Sequence, residues 1–126
     1  MNKNFFKQVR ILDGGMGQEL LARGLNPKGT LWSAKALLEE KTHSLIESVH
    51  EDFVKAGAEV IVTTTFASRK IRLRENKVED KFEYLNKKAI TIQVIINKNP
   101  DIGDSIAMIP NPVATPLPPE NFNQIG

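Results

Sequence analysis

The sequence predicts an α/β fold, about three βα units around a parallel sheet, and three observations carry that prediction. Short runs of β-branched and aliphatic residues alternate with longer segments whose apolar residues recur every three or four positions. The run Glu59-Val60-Ile61-Val62-Thr63 has little polar alternation, as expected of a strand covered on both faces. Strands joined through helices rather than tight turns run parallel, because only a crossover returns the chain in the same direction.

Each element follows from its residues. Val9 to Leu12 reads as a first buried strand, stopped by Asp13-Gly14-Gly15, where glycine permits a turn that other residues resist. Gln18 to Ala22 forms a short helix closed by Gly24, and Asn26-Pro27-Lys28-Gly29 is a loop. Trp32 to Glu40 has the composition of another short helix. A stronger one covers Thr42 to Ala56, with Ile46, Val49 and Phe53 on one face and Leu45 and Val54 beside them. Ser44 and Glu47 have capping-box spacing, Thr42 competes as the cap, and Gly57 sits where a helix ends in the left-handed conformation. The second strand is Glu59 to Thr63. After a polar, basic stretch from Ser68 to Asp80, a helix from Glu79 to Ile96 carries the stripe Phe82, Leu85, Ala89, Ile92 and Ile96. Asn97, Asn99 and Pro100 end it, and Ser105 to Ile109 is a third strand. Five of the 7 prolines lie from Pro110 to Pro119, so residues 110–126 read as a proline-rich loop or tail.

At 126 residues and 40% apolar content the chain can bury a core in one domain. It is shorter than the roughly 250 residues of a closed eightfold βα barrel. Seventeen basic and 15 acidic residues leave a net charge of +2, too small an excess to imply a nucleic-acid or membrane partner. Zero cysteines exclude disulfides, a thiol nucleophile and a thiolate metal site within these residues. Neither a signal-peptide run nor an apolar stretch of about 20 residues is present, and the expectation is a soluble cytoplasmic protein.

Ligands of βα proteins gather at the carboxyl ends of the strands. Asp13 to Gly17, Thr63 to Phe66 and the proline-rich segment all fall there. A carboxylate suits a substrate ammonium group and glycine amides suit a carboxylate, so together they would hold an amino acid. Asp13 could equally cap the following turn or helix, and spacing leaves both readings open. The run Asp13-Gly14-Gly15-Met16-Gly17 matches neither the dinucleotide nor the phosphate-loop pattern.

His43 and His50 lie seven apart on one predicted helix with Glu47 between them. HExxH is absent, and solvated histidines are expected rather than a metal site. Arg69, Lys70, Arg72, Arg74 and Lys77 form a basic run without interleaved aromatics, which predicts a solvated loop and helix entrance rather than a nucleic-acid surface. Trp32 is expected to be buried in a structural seam rather than to wall a pocket.

Three segments in order, ILDGGMGQELLARG, LWSAKALLE and AGAEVIVTTTFASRKIRL, resemble the amino-terminal part of the homocysteine S-methyltransferase family, with its betaine-, S-methylmethionine- and cobalamin-dependent members. The resemblance covers Ile11 to Leu73 well. It implies the amino-terminal part of a (β/α)8 TIM barrel, with residues 1–126 a partial homocysteine-binding domain. It also implies methyl transfer from a donor to the homocysteine sulfur, giving methionine, with zinc held by three cysteines. By position, Asp13, Gly14, Gly15, Thr63 and Thr65 match the family's homocysteine-binding residues, and Phe66 is the aromatic that follows. The middle position, often asparagine in relatives, is Thr64. After the third strand, Ala107-Met108-Ile109-Pro110 stands where relatives commonly have an Ala-Gly-Ser turn. The zinc-binding cysteines of the family fall on later strands, so this chain is expected to be a truncated form without the zinc site and inactive alone. The alternative is a non-catalytic βα module that binds an amino acid or another chain.

Overall fold

A three-residue strand, β1 (Val60–Val62), organises the sheet, with Val60 and Ile61 buried and Val62 half-buried. The computed structural model describes residues 3–26 and 29–99 and, as backbone, residues 107–109. β1 pairs in parallel with β2 (Ala107–Ile109), in the register Val60↔Ala107, Ile61↔Met108 and Val62↔Ile109. On its other side a parallel bridge joins Leu12 to Val60. There the Ile11 carbonyl accepts from the Val60 amide at 3.1 Å, and the Asp13 amide donates to the Val60 carbonyl at 3.0 Å. All three predicted strand regions therefore meet in one parallel arrangement.

The first of them departs from expectation. Val9 is 97% exposed, Ile11 and Leu12 each 58%, and only a single bridge forms. The segment pairs through one edge, so its β-forming composition is not matched by burial. Arg10 secures it instead, through an ion pair with Glu59 at 2.7 Å and a bond from Nε to the Phe5 carbonyl.

The helices are α1 (Met16–Ala22), α2 (Ser33–Leu38), α3 (His43–Lys55), α4 (Lys70–Glu75) and α5 (Phe82–Asn97). The content is α/β, with helices predominating. The stripes read from sequence face the core: Ile46 and Val49 on α3 and Leu85, Ala89, Ile92 and Ile96 on α5 are all buried. Burying each large aliphatic side chain contributes about 1.5–3 kcal/mol. α3 packs on both α1 and α5, and α2 packs on α5. Arg23 reinforces the α1–α3 seam by pairing with Glu19 at 3.1 Å and Asp52 at 2.8 Å.

Helix ends show where local rules held. Gly57 has φ +116°, with its amide bonded to the Val54 carbonyl and that of Ala58 to Phe53, a left-handed helix end. The capping box at the start of α3 does not form. A 3-10 turn from Glu40 to Thr42 leads into the helix, and the Thr42 hydroxyl bonds back to the Ala36 and Glu39 carbonyls. The basic stretch is not a plain loop either. Six of its residues form α4, because Leu73 reaches the core while Arg72 and Arg74 find partners on the surface.

Just past the end of α4 comes Lys77, a non-glycine residue with φ +60° whose amide bonds to the Arg74 carbonyl. A left-handed residue at this position carries a steric cost that glycine avoids. Lys77→Gly is expected to raise stability by about 0.5 kcal/mol, net of its greater unfolded-state freedom. A urea midpoint lower than that of the wild type would contradict this. The expected proline-rich segment 110–126, and Pro27, Lys28, Pro100 and Ser105, lie outside the described residues.

Candidate functional site

The bridge at Leu12 and the end of β1 place two loops side by side. Asp13-Gly14-Gly15 leaves the first and Thr63-Thr64 the second, and a cavity of about 480 Å³ opens between them. Asp13 is central. Its Oδ2 accepts from the Val62 amide at 3.1 Å, occupying a donor that a longer strand would have used for its ladder. It makes no cap on α1, whose N-cap is Gly15 without a side-chain bond. Half-burial raises the Asp13 carboxyl above its ordinary value, and the Val62 bond partly offsets the effect. The site thus holds a partly desolvated carboxylate facing a cavity.

Gly14 is set by packing. A Cβ there would lie 2.8 Å from Cε1 of Phe53, so the α3 ring and the turn approach as closely as glycine allows. Gly14 and Gly15 both line the cavity.

The two matched threonines separate. Thr63 lines the cavity, and its hydroxyl donates to Oε1 of the buried Gln93 at 2.8 Å, tying the end of β1 to α5. Thr65 is 1% exposed and is not among the residues that line the cavity. Its amide bonds to the Thr63 carbonyl at 2.7 Å and its carbonyl accepts from Ser68, so a tight turn carries its side chain inward. Thr64 lies between them and lines the cavity, as does Phe66.

Two expectations are corrected here. His50 is not a solvated helix residue: it is 0% exposed, and its Nε2 lies 3.1 Å from Thr64 Oγ1. His43 is half-buried, with Nε2 2.7 Å from the Leu37 carbonyl. Both histidines lie on sides of α3 covered by neighbouring segments, which helical spacing cannot reveal. Trp32, in turn, is not sealed in a seam. It is 40% exposed, lines the cavity and has φ +50°, a region that favours glycine. Sequence reasoning also passed over Ser33 and Arg72, which line the same cavity. Arg72 donates to the Thr30 carbonyl at 2.8 Å, and no local signal distinguished it from its basic neighbours.

The zinc implied by the resemblance finds no donor set in these residues. The sequence has no cysteine, and among the described residues no three His, Asp or Glu side chains converge. No helix among the described residues is long and apolar enough to cross a membrane.

Fold and site define an α/β protein with a carboxylate and a glycine turn at the carboxyl ends of parallel strands. Residues 10–119 match the family model for homocysteine S-methyltransferase, and the chain belongs to that family. The homocysteine S-methyltransferase of Escherichia coli is 43% identical over 60 residues, covering 48% of this chain and 19% of the relative. Homocysteine S-methyltransferase YbgG of Bacillus subtilis is 45% identical over 58 residues, 46% of this chain and 18% of the relative. The crystal structure of the homocysteine methyltransferase MmuM from Escherichia coli, in its oxidized form, superposes with a TM-score of 0.58 at 29% identity. It matches 81% of this chain and 37% of its own. The matched stretch thus spans about a fifth of the two curated relatives' length.

Proposed function

We propose that this chain forms the amino-acid-binding part of a homocysteine S-methyltransferase, built as the first βα units of a (β/α)8 barrel. The observation that carries the proposal is the Asp13 carboxylate beside Gly14 and Gly15 at the mouth of the cavity. The carboxylate takes the homocysteine ammonium group, and the backbone of the glycine turn and the nearby threonine hydroxyls take the carboxylate end. Thr63 contributes from the cavity wall. Thr65 supports the turn from behind it.

Methyl transfer from a donor to the thiol, giving methionine, is the reaction of the full-length family. Activating that thiol calls for metal donors these residues do not supply, so the chain by itself binds homocysteine and does not turn it over. The same deficit favours a second reading, a binding module without catalysis.

Titration calorimetry of the purified chain with L-homocysteine and with L-alanine tests the proposal. Saturable binding of homocysteine, weaker for alanine, is the expected result, and its absence would sink the assignment. With a methyl donor and zinc added, no methionine is expected. Methionine formation would overturn the claim that catalysis needs donors from outside these residues.

A further inference from the structure

One buried histidine contacts the cavity wall without facing the cavity. His50 is fully buried on α3, its Nε2 lies 3.1 Å from Thr64 Oγ1, and its Nδ1 has no hydrogen-bond partner among the described residues. Thr64 and the Asp13 turn both line the cavity.

The two ring nitrogens are not equivalent in cost. A neutral imidazole carries one N–H and one bare nitrogen. With the proton on Nδ1, a buried donor would go unsatisfied, which is rare and costs about 1–3 kcal/mol. With the proton on Nε2, the donor is satisfied by Thr64 and only a bare acceptor is left unpaired. Burial also keeps the ring neutral, lowering its pKa to about 4. The Thr64 oxygen then accepts from His50, and its own hydrogen must point elsewhere. Thr64 is one of the residues that line the cavity.

We propose that His50 is a positioning residue that holds Thr64 as a fixed hydroxyl donor to the carboxylate of the bound amino acid. This rests on the amino-acid-binding assignment made above. It gives the carboxylate end of the ligand a side-chain partner, complementing Asp13 at the ammonium end, and it explains why a histidine is buried on an otherwise apolar helix face.

Two measurements test it. The first needs no ligand: long-range proton–nitrogen correlation of the ¹⁵N-labelled chain at pH 7 reports which ring nitrogen of His50 carries hydrogen. The Nε2–H form is expected, and an Nδ1–H form overturns the proposal. The second compares binding of L-homocysteine with that of homocysteine amide, which lacks the carboxylate charge. Thr64→Val is expected to weaken homocysteine about tenfold or more, and the amide, whose carbonyl still accepts but carries no charge, by a factor at least about threefold smaller. Thr64→Ser should restore most of the loss. Equal weakening of both ligands, or none for either, overturns the proposal, since a merely structural role does not read the carboxylate. If the wild type binds neither ligand, the amino-acid-binding assignment itself falls, and with it the role of Thr64.

Discussion

Asp13→Asn is expected to leave the chain folded and to weaken homocysteine binding by about 10-fold to 150-fold. The loss follows from replacing a charged acceptor, whose bond to an ammonium group is worth about 1.5–3 kcal/mol, by a neutral one. Folding should not suffer in proportion. Asparagine Oδ1 can still accept from the Val62 amide, the bond that Asp13 Oδ2 makes at 3.1 Å. The direction of the pKa shift adds to this. Because burial raises the Asp13 carboxyl above 3.8, the folded chain holds that proton more tightly than the unfolded one. The resulting stabilisation is present below the unfolded value and lost as pH rises through the folded one. At pH 7 the ionised carboxylate therefore costs stability that asparagine does not. Calorimetric titration and a urea midpoint at pH 7, measured on the same preparation, check both halves. Unfolding of the variant would make Asp13 a structural residue, and undiminished affinity would remove it from the binding site.

His50 should make the fold acid-sensitive. Its pKa is lowered by burial from 6.5 to about 4. As pH falls through 6.5 the unfolded chain takes up a proton at this ring, while the folded chain does so only near 4. Between those values the unfolded state binds more protons, so stability declines with falling pH, by about 3 kcal/mol in total, and this contribution is constant below the window. Asp13, raised by burial, acts in the opposite direction as pH falls. Glu59 and Glu79, held below their ordinary values by hydrogen bonds from Arg10 and Arg74, lose their contributions only as carboxylates protonate. His50→Phe separates these effects, because it deletes the histidine component and leaves the carboxylates in place. Urea midpoints at pH 7, 5.5 and 4.5 should fall more steeply for the wild type than for the variant, whatever the variant's starting stability. Parallel declines would exclude His50 as the source.

The same residue shows where sequence reasoning stops. His50 and His43 sit seven apart on α3, and periodicity correctly puts Ile46 and Val49 in the core. It cannot tell which polar positions a neighbouring strand end will cover. Thr64 and His50 are 14 residues apart, and only the packing of α3 beneath the end of β1 makes them partners. Gln93 hides similarly, a polar residue on the buried face of α5 whose role appears once Thr63 is placed against it.

Local sequence determined the helices with strong stripes, the buried character of β1, the left-handed end at Gly57 and the presence of Asp13-Gly14-Gly15 after a β-forming run. These depend on near neighbours: side-chain period, backbone freedom at glycine and β-branched composition. Tertiary structure decided the rest. It left Val9 exposed despite its strand composition, because burial depends on what lies across the sheet edge. It made a helix of Lys70–Glu75 by giving Leu73 a core to enter. It also separated Thr63 from Thr65, brought Thr64 and Trp32 to the cavity wall, and set His50 behind Thr64. Those outcomes depend on contacts between residues far apart in the chain, which exist only once the parallel pairing around β1 has brought its flanking loops together.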